Sequence, residues 1–286
     1  MSLGVADEFT QLVFHVLAHV VRPGPEDLYD EAYVAWARER FSAEATALLA
    51  EDAEVLGALA HAEYLEVLDA WPQLHGSLAA FRRTAGRALA EVRADEVQEA
   101  WLLKSLQGMG PAGEVMHAAM GLLAGEFAGV HARWIAPWGR EAAAAVLPWT
   151  TALGEAAPGL AGARVELVWA LGRRGRALPG RVLVGCGDWR ADPVTPAIAA
   201  MHEYAVWSSG QVDYVRTELD ALSRGARWVA AAPARLREAH ARWLAGLELR
   251  PLVARAQRTG LIGAAVAGML AAPEDRARVL RTLTIG

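Results

Sequence analysis

The hydrophobic period of this chain changes near residue 163, and that change constrains the fold more than any other feature of the sequence. Before it, apolar residues recur at steps of three and four, the spacing of one helix face. After it, 164–171 mostly alternates, and 181–186 is a short β-branched run flanked by glycine. Two strands are therefore expected, paired as a central β-hairpin over about 163–187. Helical spacing resumes at Asp192. Helices interrupted by one hairpin predict a mainly α, α+β, multi-helix globular domain. A length of 286 residues suffices for one large domain or two modest ones. A single domain over 1–286 is the expectation, with a subdivision available near 136–160, where Pro137, Pro148 and Pro158 interrupt the pattern.

Helix punctuation supports this outline. The first helix is expected over 6–21, stopped by Arg22-Pro23-Gly24-Pro25. A second spans 25–40, and Ser42 caps a third that ends at Trp71-Pro72. Others are expected over 78–106, 113–135 and 140–146. Asp192-Pro193 is a strong start signal, because Asp accepts from orphan amides and Pro fits the first helical position. The helix it opens, to about Ser208, is apolar all round apart from His202 and Glu203, so it should be buried. Amphipathic helices follow over 211–222 and 233–247. The Gly/Ala-rich stretch 259–273 is too short for a bilayer that needs about 20 apolar residues, and reads as a buried helix of small residues.

Composition excludes several partners. A formal net charge of −5 leaves no basic footprint for a phosphate backbone, so nucleic acid is not expected, and neither is a membrane. One cysteine, Cys186, excludes an internal disulfide and reads as a buried inert thiol. The opening residues lack the charged region and short apolar core of a signal peptide, and a cytoplasmic location is expected. No phosphate loop, complete dinucleotide fingerprint or Gly-x-Ser-x-Gly elbow is present. The basic loop 172–180 reads as a solvated turn.

Two places carry residues suited to chemistry. In the first helix, Glu8, Gln11, His15 and His19 form one polar stripe on an apolar cylinder. The stripe is either a wet edge or a ligand set, since histidines at i and i+4 can share a tetrahedral ion. The second place is His202-Glu203, where a carboxylate in an apolar helix needs a partner. Combined, His15, His19 and His202 supply three nitrogen ligands for zinc and leave a fourth position for water, with Glu203 as base. The run Met201-His202-Glu203-Tyr204 resembles the start of the metallopeptidase signature His-Glu-x-x-His. Val206 stands where that signature has its second histidine, so the resemblance implies a metal site only if His15 and His19 complete it.

Other histidines are less informative. Glu114 and His117 have the Glu-x-x-His spacing of helical di-iron sites, but no second copy occurs. His61, His75, His131 and His240 read as structural or exposed. Eleven tryptophans should serve as core anchors or as contacts for a partner. Two functions are therefore expected from the sequence. One is a zinc-dependent hydrolase, peptidase-like, with metal-activated water attacking a carbonyl. The alternative is a non-enzymatic helical interaction or scaffold protein that binds a protein or peptide partner in a larger complex.

Overall fold

The computed structural model describes residues 1–20, 29–49, 72–73, 76–85, 110–172, 175–178, 180–187, 189–209 and 213–284. Most of the helices expected over 43–71 and 78–106 lies outside the described residues, as do His61, His75 and the stop at 22–25. The chain divides into two units. A helical unit comprises Val5–Arg140 and Val168–Arg174, and a sheet unit comprises Met1–Gly4, Glu141–Leu167 and Gly175–Gly286.

The helical unit is organised by α1 (Glu8–Val20), α2 (Glu31–Arg38), α3 (Leu78–Ala85) and α4 (Gly110–Val130). Asp7 opens α1 by accepting the Thr10 amide at 2.7 Å, and Asp30 opens α2 by accepting from Ala32 at 2.8 Å and Tyr33 at 3.3 Å. Every residue of α1 from Phe9 to Ala18 is buried, as an all-apolar helix requires. Phe14, Leu17, Tyr33, Phe81, Met116 and Phe127 fill the core, each worth about 2–3 kcal/mol in burial. The polar stripe is therefore no wet edge along its length: Glu8 is exposed, but Gln11 and His15 are each 1% exposed. Gln11 Oε1 accepts the Trp169 amide at 3.2 Å, and the Ala170 carbonyl accepts from Asp30 at 3.0 Å, which holds 168–171 against the helices of this unit.

After α4 the coil widens into a π-helical turn, His131–Ile135, and narrows again into α5 (Ala136–Ala156). This helix runs through Pro148, well beyond the expected end at 146. Pro148 forfeits one intrahelical donor. Nearby, the Thr150 hydroxyl donates to the Leu147 carbonyl at 2.9 Å.

The sheet unit carries β1 (Ser2–Val5), β2 (Arg164–Leu167), β3 (Gly175–Leu178) and β4 (Arg181–Val184), in the order β1-β2-β4-β3. The two strands expected to form a hairpin are instead parallel neighbours, with Val165 opposite Val182 and Leu167 opposite Val184. The reason is the connection: after β2 the chain enters the 168–174 segment of the helical unit before returning, so no tight turn joins the strands. The hairpin is made by β3 and β4 across Gly180, whose φ of 76° suits a residue without a side chain. β3 lies in the arginine-rich stretch read as a loop. Glu166, 5% exposed on β2, is answered by Arg164 at 2.5 Å and Arg181 at 2.9 Å.

α6 (Thr195–Trp207) packs on the sheet, and α7 (Tyr214–Ala230), α8 (Ala234–Gly246), α9 (Arg250–Arg258), α10 (Ala264–Ala271) and α11 (Arg276–Thr282) follow it. Asp192 accepts from the Val194 and Thr195 amides and from the Thr195 hydroxyl, but the helix starts two residues later than expected, at Thr195, with Pro196 rather than Pro193 in its first turn. One core joins Val146, Leu153, Ile198, Met201 and Leu236, and another joins Leu219, Leu222, Leu244, Val253 and Leu280. The expected buried small-residue helix is α10, and here the expectation fails: only Ala267 and Leu270 are buried on it. Ala264, Ala265 and Gly268 face solvent, since exposing so little apolar area costs little. Among the described residues no helix is long and apolar enough to cross a membrane.

One buried cation ties the C-terminal helices together. Arg276, 5% exposed, donates to the carbonyls of Leu244, Ala245 and Leu247 at the end of α8 and to that of Leu270 on α10. These are carbonyls that helix ends leave without intrahelical donors. Arg276→Met keeps the bulk but removes the donors, and should cost about 2–4 kcal/mol in urea unfolding, since each stranded buried acceptor carries a penalty of about 1–3 kcal/mol. A loss below about 0.5 kcal/mol, the range of ordinary surface substitutions, would show that the guanidinium is not needed there.

Candidate functional site

The sequence-derived residues fall into two clusters, one in each unit. His15 and His19 belong to the helical unit, whereas His202 and Glu203 belong to the sheet unit.

In the helical unit, helical spacing does bring the His15 and His19 rings together, with centroids 4.4 Å apart. Phe41 stacks on His15 at 4.4 Å, and Phe127 lies 5.3 Å away. His15 Nδ1 lies 2.9 Å from the Tyr33 hydroxyl, and His19 Nδ1 lies 2.8 Å from the His15 carbonyl. Hydrogen-bond accounting assigns the tautomers. A carbonyl only accepts, so His19 carries its proton on Nδ1. For the buried His15–Tyr33 pair, a phenol donating to Nδ1 leaves one polar group without a partner, the Nε2–H of His15. The reverse leaves two, the phenol proton and the Nε2 lone pair, and buried orphans are costly. Tyr33 therefore donates. Burial holds the His15 imidazole well below its ordinary range, with His19 adding to the effect, and burial pushes the Tyr33 phenol up. His131, on the π-helical turn, stands 3.7 Å from Glu8. His117 packs against Phe81 at 6.0 Å, and the side chain of Glu114 lies outside the described residues.

In the sheet unit, α6 presents His202 and Glu203 next to one another on a helix whose other side is buried through Pro196–Met201. His202 Nε2 lies 3.3 Å from Glu218 Oε2 on α7. The Trp243 ring of α8 covers His202 at 5.1 Å, and His240 stacks on the far part of that aromatic group at 6.0 Å. Glu203 is part-buried and packs on the edge strand β3. A Cβ on Gly175 would fall 2.5 Å from Glu203 Cγ and 2.7 Å from the Leu183 carbonyl, so only glycine lets the carboxylate lie this close to the strand. Burial raises the proton affinity of Glu203; His202, Arg176 and the Gly175 amide oppose the rise, and the Glu218 carboxylate adds to it. A carboxyl with raised affinity beside a carboxylate-bound imidazole is an arrangement suited to taking and returning a proton.

Sequence reasoning missed Glu218, His240 and Tyr33. Glu218 sits in an amphipathic helix among other charged residues, and nothing in its spacing marks it. His240, read as structural or exposed, is 3% exposed, consistent with the structural half of that reading. Among the described residues no group of three or more His, Cys, Asp or Glu side chains stands together as a metal site. A separate half-open cavity of about 320 Å³ lies between α10 and α11, lined by Val266, Met269, Arg278 and Thr282 among others, and none of the residues named above borders it. Comparison of the chain with protein-family models, curated proteins and solved structures gives no match.

Burial in this cluster has a pH consequence. His240 is depressed from 6.5 to about 4 by burial first and by His202 second. A group whose folded value is depressed in this way stays neutral in the native state while the unfolded chain gains a proton. Its contribution is thus complete above pH 6.5 and is lost as the pH falls towards 4. Urea unfolding of the wild type should weaken over that interval by up to about 3 kcal/mol more than His240→Gln, at about 1.4 kcal/mol per unit. Parallel pH profiles for the two proteins would show that His240 is not held neutral by the fold.

Proposed function

We propose that this protein is a hydrolase acting on a peptide-type carbonyl, with its chemistry in the sheet unit. Glu203 takes a proton from the attacking water and returns it to the leaving group, and His202, held by Glu218, faces the same reaction. The single observation that carries this reading is the position of Glu203: a carboxyl of raised proton affinity, adjacent to an imidazole, packed on β3. Among the described residues β3 is the last strand of the sheet, and a last strand is where an extended peptide can add its backbone donors and acceptors.

Zinc is the metal this reading takes, through His202 and Glu218. His202 Nε2 and Glu218 Oε2, 3.3 Å apart, would be the two side-chain atoms that hold it. The remaining coordination would come from water and substrate, and the ion would bring the pKa of that water to about 7. His15 and His19, the other expected ligands, belong to the helical unit and are not required by this version.

Elemental analysis and turnover on a peptide library decide it. Purified protein should carry near-stoichiometric zinc that is lost in His202→Ala and Glu218→Ala and kept in His15→Ala. Glu203→Gln should keep the metal and lower turnover by about 10²–10⁴-fold, the usual contribution of a positioned acid–base group. Zinc lost in His15→Ala, from a variant that remains folded, would restore the three-histidine set. Active metal-free protein would remove zinc, and unchanged turnover in Glu203→Gln would remove the reading itself.

The alternative, a helical interaction protein, has its own support on α4. Ala118, Leu122, Gly125 and Gly129 continue into Ala132 at steps of four, three, four and three, all exposed, with Leu122 at 70%. That spacing is the seam of a helix pair.

A further inference from the structure

We propose that Tyr33 is a redox-active tyrosine, oxidised by one electron through the adjoining Trp36–Trp169–Trp138 stack and deprotonated by His15. The stack is continuous. Trp138 and Trp169 lie face to face, with centroids 4.4 Å apart and planes within 5°. Trp36 meets Trp169 at 4.4 Å, and Tyr33 touches both, at 5.7 Å from Trp36 and 5.6 Å from Trp169. Every member lies in the helical unit. Trp36 and Trp169 are part-exposed and within reach of a small oxidant, whereas Tyr33 is 1% exposed and is reached only through its neighbours. Electron exchange between aromatic rings falls off steeply with distance, so rings in contact pass an electron in preference to any other route. Two parallel indoles also share a positive charge, which makes the Trp138–Trp169 pair easier to oxidise than a lone indole.

A one-electron inorganic radical takes an electron from the stack and becomes an anion, leaving an indole radical cation. Tyr33 returns one electron to the indole, and its phenolic proton passes along the 2.9 Å hydrogen bond to His15 Nδ1. The products are a restored indole, a neutral tyrosyl radical and an imidazolium, with the single positive charge conserved. Direction follows from acidity. A phenol radical cation is a far stronger acid than imidazolium, so even an imidazole disfavoured by burial accepts its proton. The assignment of Tyr33 as donor and His15 Nδ1 as acceptor places the lone pair where the proton must go.

The surroundings fit a device more specific than packing. Tyr204 and Trp207 in the sheet unit form another tyrosine–tryptophan contact, at 5.5 Å, and no histidine hydrogen-bonds Tyr204 among the described residues. That pair provides the internal control.

Pulse radiolysis of the intact protein with azidyl radical tests the proposal. The radical oxidises accessible indoles, and the optical bands of the indolyl and tyrosyl radicals report the transfer. In the wild type the indolyl band should decay as the tyrosyl band grows, at a rate independent of protein concentration. Tyr33→Phe, which removes one oxygen atom, should abolish the fast phase of tyrosyl growth, and Trp169→Phe should slow it. Tyr204→Phe should leave it unchanged. A fast phase that survives in Tyr33→Phe, one lost in Tyr204→Phe instead, or a wild type whose indolyl band decays without tyrosyl growth would each overturn the proposal.

Discussion

Helices that are apolar on every side leave no face for water, and the rest of this structure follows from how their few polar groups are answered. α1 is of this kind from Phe9 to Ala18, and α6 is of this kind from Pro196 to Met201. Each carries polar residues that are buried or part-buried among apolar neighbours, so other side chains or backbone answer them. Gln11 is answered by the amide of Trp169, His15 by Tyr33, Glu203 by Gly175 and its neighbours, and His202 by Glu218. Every one of these contacts fixes the position of a second element. Polar residues in the two greasy helices thus act as the registration marks of the units in which they sit.

The same constraint explains why the two chemical clusters differ. In the helical unit the imidazole of His15 is enclosed by Phe41, Phe127 and Tyr33, and burial favours neutral forms throughout. In the sheet unit, Glu203 is part-buried and is faced by the Glu218 carboxylate as well as by Arg176 and His202. Proton exchange with water belongs to the second setting, and internal proton movement along a fixed hydrogen bond belongs to the first.

Much of this architecture is legible in the sequence wherever the signal is local. The change of period near 163 and the helix start next to Asp192 depend on residues within a few positions of one another and appear in the structure, but the burial expected over 193–207 holds only for Val194, Pro196–Met201 and Ala205, and Trp207 is 46% exposed. What was not legible depends on distance along the chain. β2 and β4 pair in parallel because 168–174 leaves the sheet between them, and no local pattern encodes that excursion. β3 was hidden because Arg176 and its neighbours have the composition of a loop. Glu218 and His240 reach His202 from separate helices, and an amphipathic spacing is the same whether a charge meets solvent or an imidazole. α10 shows the converse error: alanine and glycine pattern alike in cores and at surfaces, so their mere abundance does not say which they occupy.

The π-helical turn at His131–Ile135 amounts to one residue more than an ordinary coil holds over the same rise. Excising a single residue there would rethread the following segment by about 100° around its axis, the angular step of one helical position. Trp138 would swing away from Trp169, and the aromatic stack would lose its end plate without any tryptophan having been substituted. Chain length at this turn, as much as side-chain identity, thus sets which way the indoles look.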